Sequence, residues 1–528
     1  GKILARLRQL RAPLSTATGK LARIRQTLTG LKNKHKIVLG SNVRVTLGDL
    51  LVPGDAEFPV KISTSRPSFL CGPQGRKTCS WPDRGIQRWG PFKYMQHTQN
   101  TPLIGVVCEA SHRGRVEQFI NSLRDGFPDE SWKKATSWRK TKKPNPFEGG
   151  LVGKFRLTRV SLKYEEVERP TAQEYRRAAE RLLNAVPAGL DLAIVQTRER
   201  FKDLRGDENP YLVSKAAFME AGVPVQAVCI ENVEADDSSL PYILNNIALA
   251  NYAKLDGIPW VISTRGPTSH ELVFGLGYSE IGQGRLGAKA RYVGITTVFQ
   301  GDGRYLVWGL TREVEFDNYA EALLKNLHTT IRYVRDQNRW QEGDDVRLIF
   351  HVYKPLKNRE VEAIKRLVEN LVEDQLSVEY AFLNLSSWHM YQIFDPQQGG
   401  VSYTTLTGRR RKKGKGVPER GLCYQLSKHA ALLHLTGPHD LKTAEQGTPR
   451  PLLVKLHPDS DFTDLTYLVR QIYHFTFMSW RSFFPATEPV TILYSRLIAR
   501  MLGSLNPVTG WNSKVLSVGS LRDRRWFL

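Results

Sequence analysis

The chain has 528 residues, 41% hydrophobic and 10% aromatic, which is enough to bury several cores over a length that, as a prior, holds three or four domain units; wholesale disorder is excluded. Lys and Arg number 76 against 52 Asp and Glu, a formal charge of +24 that points to a polyanionic partner, most simply nucleic acid, with a generally basic soluble protein as the plain alternative. No apolar run reaches the ~18 residues of a bilayer span, and the five cysteines at 71, 79, 108, 229 and 423 are too scattered for a disulfide framework or a common zinc pattern, so they read as buried reduced thiols.

Residues 1–44 carry eleven Lys and Arg and no acid. Apolar residues at Ile3, Leu4, Leu7 and Leu10, then at Leu21, Ile24, Leu28 and Leu31, follow helical spacing on either side of Pro13. The composition fits an organellar transit peptide or a pair of basic amphipathic helices, and the start at Gly rather than Met favours the second. A second basic stretch, Lys133, Lys134, Arg139, Lys140, Lys142 and Lys143, is interleaved with Trp132 and Trp138; a third, Arg409 to Lys415 between Gly408 and Gly416, reads as a flexible loop.

From about residue 190, strand-like runs at 192–196, 225–230 and 259–263 alternate with helical segments at 210–221 and 241–255, implying an α/β layer with a mainly parallel sheet. A second α/β region opens near 270 with three closely spaced strands at 272–277, 292–299 and 305–311, the last two joined through Gly301-Asp302-Gly303, a hairpin turn. A helix at 319–337, a strand at 346–353, a helix at 358–374 and a strand at 378–385 follow. The order β-β-β-α-β-α-β is that of an RNase H-like fold.

Asn209-Pro210-Tyr211 starts a helix cleanly, with Asn suited to the cap and Pro to the first turn. Free N–H groups and the helix dipole at such an end attract anions. Tyr211 and Lys215 share one face, Gln226 opens the next strand, and Lys254 sits near the end of the 241–255 helix. An aromatic ring, two ammonium groups and an amide can stack on a terminal base and bind its phosphate, although by spacing alone Tyr and Lys four apart are more often plain surface residues.

YLVSKAAFMEAGVPVQ, followed by NNIALANYAKLDGIPW, resembles the MID domain of Argonaute proteins, and the resemblance implies a guide 5′-phosphate site at Tyr211, Lys215, Gln226 and Lys254. It also implies that a Mg²⁺ ion bridges that phosphate and the carboxylate of Leu528, the last residue of RRWFL, which suits a hard cation. HELVFGLGYSE, YVGITTVFQGDGRYLVWG, GDDVRLIFHVYKP, RPLLVKLH and YHFTFMSWRSFFPATEPVTILYSRLIARML resemble a PIWI domain, and WPDRGIQRWGPF resembles the stretch before MID in prokaryotic Argonautes. The organisation implied is a basic helical segment over 1–60, a linking region over 61–170, a Rossmann-like MID domain over 171–265 and an RNase H-like PIWI domain over 266–528. With no PAZ region, the chain is similar to short prokaryotic Argonautes.

Active PIWI domains cut through two metals held by clustered carboxylates. Where the family places its first catalytic Asp this sequence has Gly277, and where it places the next it has Tyr353 and Lys354; a Lys adds positive charge where a metal ligand is needed. Asp302, Asp344 and Asp345 are explained by turns. His351, His389, His429, His434 and His439 lack metal-ligand spacing, and GQGRLG at 282–287 follows a strand without opening a helix.

The expected protein is therefore cytoplasmic and not a nuclease: it anchors a guide, implied to be RNA, and recognises a DNA target by base pairing. The resemblance further implies an APAZ-domain partner bearing a sirtuin-like, TIR or nuclease effector, a heterodimer that forms higher oligomers on activation, and a role in defence against plasmids or phage. The alternatives are a guide-directed endonuclease with a divergent site and a nonspecific basic nucleic-acid-binding protein.

Overall fold

A computed structural model of the chain describes residues 3, 6–7, 10, 14–33, 37–38, 40–94, 100–137, 144–264, 268–281, 291–314, 319–356, 358–404, 409–516, 520–522 and 524–528. Two compact units are formed, one from residues 1–66 and 381–473, the other from 67–380 and 474–528.

The larger unit contains two sheet layers. The first is a four-stranded parallel sheet of β1 (Leu103–Glu109), β2 (Ser161–Val167), β3 (Leu192–Thr197) and β4 (Val225–Cys229), in the order β2-β1-β3-β4. All six residues of β3 are buried, as expected for a strand covered on both faces. Two of these strands come from the 61–170 stretch that the sequence assigned to a linking region. The run at 259–263 does not join this layer: Val261–Ile262 pairs antiparallel with Phe69–Cys71, which pairs in turn with Lys77–Cys79. The run has the composition of a buried strand, but only two of its residues form ladder pairs.

The connections include α1 (Arg113–Asp125), α2 (Ala172–Asn184), α3 (Pro210–Glu220) and α4 (Leu240–Lys254). In α3 buried residues lie all round, among them Leu212, Val213, Lys215, Ala216, Phe218 and Met219, so this is an interior helix.

The second layer follows the predicted order. β5 (His270–Ile281), β6 (Arg291–Gln300) and β7 (Tyr305–Val314) form an antiparallel meander. Helix α5 (Tyr319–Asn338) leads to β8 (Asp345–Val352), which pairs parallel to β5, and α6 (Asn358–Glu373) leads to a strand over Ser377–Ser386 that neighbours β8. Arg347 of β8 and Glu379 are 2.8 Å apart. The strand order is thus 3-2-1-4-5, the RNase H-like arrangement read from the sequence. Helix α7 (Val490–Leu505) packs on β5 at Gly275, where a side chain would run into the Thr491 carbonyl.

In the smaller unit, part of Ser377–Ser386, Leu452–Leu456, Ala430–Leu433, Cys423–Ser427 and Val60–Ile62 pair antiparallel in succession, and these strands belong to the same nine-stranded sheet as β5 to β8. Ala17–Asn33 is a helix, and Ala17 packs with Val417 and Leu441. The basic run near 410 is not a loop: Arg410–Lys413 pairs with Val401–Thr404 as a hairpin, and a two-stranded ribbon leaves its cations as open to solvent as a coil would, with Arg410, Arg411 and Lys412 exposed. Residues 138–143, which carry most of the second basic stretch, and the Gly-rich 282–287 segment lie outside the described residues. Among the described residues no helix is long and apolar enough to cross a membrane.

Candidate nucleic-acid interface

Asn209 caps α3 as its sequence predicts, but the cap changes what the helix end can do. Its Oδ1 accepts from the N–H groups of Tyr211 (3.0 Å) and Leu212 (3.2 Å), and its Nδ2 donates to Phe201 O (2.7 Å). Two of the N–H groups expected to greet an anion are therefore occupied, and side chains must supply most of the recognition.

Those side chains are brought together. Lys215 Nζ donates to Tyr211 Oη at 3.2 Å, and Lys254 Nζ donates to Gln226 Oε1 at 2.6 Å. Gln226 Nε2 in turn donates to Ala227 O at 2.8 Å, fixing the amide so that its oxygen faces the lysine. Lys215 and Lys254 are 2% and 1% exposed, yet among the described residues neither has a carboxylate partner. The Lys254 ammonium is held well below the usual lysine range, by burial first and then by the positive charges of Lys215 and Arg481. Buried cations without counter-ions are costly unless something anionic arrives, so the arrangement is chemically suited to an anion. Tyr211, half-buried, keeps part of its ring accessible for stacking.

Arg481 was not picked out from the sequence. It lies in SWRSFF, exposed, between the buried Trp480 and Phe483. A cation lodged within an aromatic run was the available signal, but nothing in its spacing ties it to 254.

The C-terminal residues are tied to the same region. The Arg525 guanidinium lies 3.0 Å from Asp256, two residues beyond Lys254, and its Cζ is 5.0 Å from the Trp480 ring centroid. Phe527 packs against Tyr494, with ring centroids 5.1 Å apart. Leu528 is half-buried and its N–H donates to Arg525 O at 3.1 Å. Among the described residues it makes no ion pair with the two lysines.

A second basic and aromatic feature, also missed, lies in the smaller unit. A cleft of about 550 Å3 is lined by Lys20, Trp388, His389, Met390, Tyr391, Gln392 and Arg450, with no acid. Trp388 is 80% and Met390 100% exposed. His389 Nε2 donates to Pro451 O at 2.8 Å, leaving the buried Nδ1 without a partner. Burial and the neighbouring Arg450 lower the Lys20 ammonium below its ordinary range.

The two positions at which the resemblance leads one to expect carboxylates lie at the end of the ladder between adjacent strands. Leu276 of β5 pairs with Val352 of β8, so Gly277 and Tyr353 stand one residue beyond the last paired position of adjacent strands. Tyr353 and Lys354 are exposed. A Cβ at 277 would lie 2.9 Å from both Cβ and Oγ of Ser495 on α7, inside any relaxed contact distance. Two of the nearby acids, Asp302 and Asp344, are engaged as the turn reading requires, whereas Asp345 is not in a turn but opens β8. Asp302 accepts from Arg304 N at 2.9 Å, and Asp344 accepts from Gln341 N at 2.7 Å and contacts His270 at 2.9 Å. His351 is buried, bonded to Thr491 Oγ1 at 2.8 Å and driven by burial to about 3, hence neutral. Among the described residues no group of three or more His, Cys, Asp or Glu is placed to hold a metal.

An RNase H-like sheet beside a parallel α/β layer that ends in an anion-receptive pocket defines a class, and the comparisons agree: residues 206–506 match the Piwi domain family, and the chain belongs to it. The match begins before α3 and so includes the pocket lysines. The chain is of Argonaute type. It is 33% identical over 502 residues to a protein argonaute of Cereibacter sphaeroides, covering 94% of this chain and 62% of that protein, and 24% identical over 359 residues to a Piwi protein of Archaeoglobus fulgidus, covering 65% and 76%. The Clostridium butyricum Argonaute, solved with a guide DNA and a 19-mer target DNA, shares the fold with a TM-score of 0.59 at 16% identity over 86% of this chain and 53% of that one. Drosophila Piwi does so with 0.59 at 14% identity over 88% and 56%. The chain thus spans about three fifths of the curated Argonaute and about half of the solved ones.

Proposed function

We propose that this protein anchors a guide strand by its 5′ phosphate at Tyr211, Lys215, Gln226 and Lys254, pairs the guide with a complementary target, and does not cut it. The observation that carries the reading is the pair of buried lysines that, among the described residues, have no carboxylate partner. Tyr211 stacks on the first base, the two ammonium groups and Arg481 meet the phosphate, and Gln226 orients Lys254. The cleft at Trp388, in the smaller unit, is by itself a basic, aromatic surface suited to a single strand. RNA as guide and DNA as target follow the family resemblance.

The pocket side chains are an amide, a phenol and cations, which do not hold Mg²⁺ by themselves. A magnesium ion at this pocket would take ligands from the guide phosphate, so the ion would enter with the guide. An APAZ-domain effector partner and a defence role rest on the resemblance to short Argonautes and are tested by co-purification with the neighbouring gene product. Failure to recover any such complex would remove that part while leaving the guide site standing.

The decisive measurement is guide affinity with and without the 5′ phosphate at one salt concentration, using RNA and DNA strands. A preference of at least ~10-fold for the phosphorylated strand is expected, from one or more charge-assisted hydrogen bonds. Equal binding would reduce the pocket to a general basic patch.

A further inference from the structure

Cys71 and Cys79 lie on the two strands of the Phe69–Cys71 and Lys77–Cys79 hairpin. Phe69 pairs with Cys79 and Cys71 with Lys77, so the cysteines are diagonal neighbours on one face. Their sulfurs are 2.8 Å apart, Cys71 is fully buried and Cys79 is partly open to solvent. Two thiolates on one zinc ion, at ~2.3 Å each and a tetrahedral angle, would stand well over 3 Å apart, and no third ligand is gathered among the described residues. The spacing instead approaches a sulfur–sulfur bond of ~2.05 Å. Directly over the pair lies Gly85, in the helix Pro82–Trp89, where any Cβ would overlap both sulfurs.

That helix leads to the anion pocket. Asp83 accepts from the buried Lys154 ammonium and from Asn245 Nδ2 at 3.0 Å, and Lys154 donates to Asn245 Oδ1 at 2.7 Å. Asn245 lies on α4, which ends at Lys254.

From this geometry we propose that Cys71 and Cys79 form a reversible disulfide under oxidising conditions, and that its closure weakens the guide-phosphate anchor through Gly85, Asp83 and α4. This rests on the anchor reading above. With glutathione disulfide as oxidant, the Cys79 thiolate attacks one sulfur and expels a glutathione thiolate. The Cys71 thiol then loses its proton and attacks the Cys79 sulfur, expelling the second. Two protein thiols are oxidised, one glutathione disulfide is reduced to two glutathiones, and no other reactant is needed. Cys79 is the attacking group because it is the one of the pair open to solvent, and its contact with the Cys71 sulfur lowers its thiol below the usual range. Closing the gap from 2.8 Å to bonding distance shifts the two sulfurs on which Gly85 packs, and so the helix Pro82–Trp89 that carries Asp83.

The test treats the full chain with glutathione redox buffers. Intact mass should fall by ~2 Da with peptide mapping joining 71 to 79, amide exchange over residues 240–254 should rise, and affinity for a 5′-phosphorylated guide should drop by ~5-fold or more. Dithiothreitol should restore all three, and Cys79→Ser should abolish all three while binding guide like the reduced protein. No mass change, or a disulfide that leaves exchange over α4 unaltered, overturns the proposal. A disulfide that alters exchange in a protein indifferent to the 5′ phosphate would overturn the anchor reading and, with it, the claimed effect on guide binding. The thiol chemistry and its transmission to α4 would stand.

Discussion

Replacing Lys254 by Met removes the charge while keeping most of the side chain's length, and the structure fixes what should follow. In the free protein the Lys254 ammonium is opposed by burial, Lys215 and Arg481. A lysine whose folded-state affinity for protons is lowered binds fewer protons folded than unfolded, so it costs stability at any pH below the ordinary lysine range and the cost shrinks as pH rises toward that range. Lys254→Met should therefore leave the thermal midpoint of the guide-free protein unchanged or raised. With a phosphorylated guide the sign reverses, because the variant loses a charge-assisted hydrogen bond worth about 1.5–3 kcal/mol, or roughly 10- to 150-fold in affinity. A 5′-hydroxyl guide should lose far less. The assay is a filter-binding or fluorescence-anisotropy titration of both guides alongside a melting curve. Equal loss for the two guides, or a midpoint lowered by many degrees, would mean that Lys254 is a structural cation and that the pocket argument is wrong.

Binding of a phosphate should also return a proton to Lys254. Calorimetry in two buffers of different ionisation enthalpy should show proton uptake for the phosphorylated guide above the depressed Lys254 range and none for the hydroxyl guide. Trp388→Ala should weaken single-strand binding by roughly 5- to 150-fold, the worth of one base–aromatic stack of ~1–3 kcal/mol, irrespective of the 5′ group and without loss of thermal stability, because the ring is exposed. Guide, target and Mg²⁺ or Mn²⁺ should leave the target intact; a chelator-sensitive cut opposite one guide position, seen on a denaturing gel, would restore the nuclease alternative. Gly277→Asp should not create activity and should destabilise by about 1–3 kcal/mol from overpacking against Ser495, read by denaturant titration.

The strand order of the RNase H-like layer was legible because its elements are local: three strands meet through short connections, and each helix carries a clear apolar face. The parallel layer was only half legible. β1 and β2 are supplied by residues far upstream of the lysines they help to position, and no local period announces that β1 will pair with β3 across more than eighty residues. The strand at 261 illustrates the same limit, since composition reports burial but not partner. Within the pocket, Lys215 and Lys254 by spacing looked like ordinary surface cations; only the fold buries both and withholds an acid. Arg481 and the cleft at Trp388 escaped because their meaning comes entirely from what lies opposite. Capping at Asn209 was foreseen, whereas its use of two N–H groups depends on a rotamer that the residue type alone does not dictate.

The approach of α7 to β5 has a consequence for descent. At Gly277 helix α7 occupies the volume a side chain would need, and Ser495 is the residue that fills it. A lineage that has closed such a gap cannot return by one substitution, since an acidic residue at 277 first has to displace a helix that is already packed. The way back needs at least two coordinated changes, each unfavourable without the other. Drift at this position therefore behaves like a ratchet, holding position 277 to a residue without a side chain more firmly than selection on that one residue alone would.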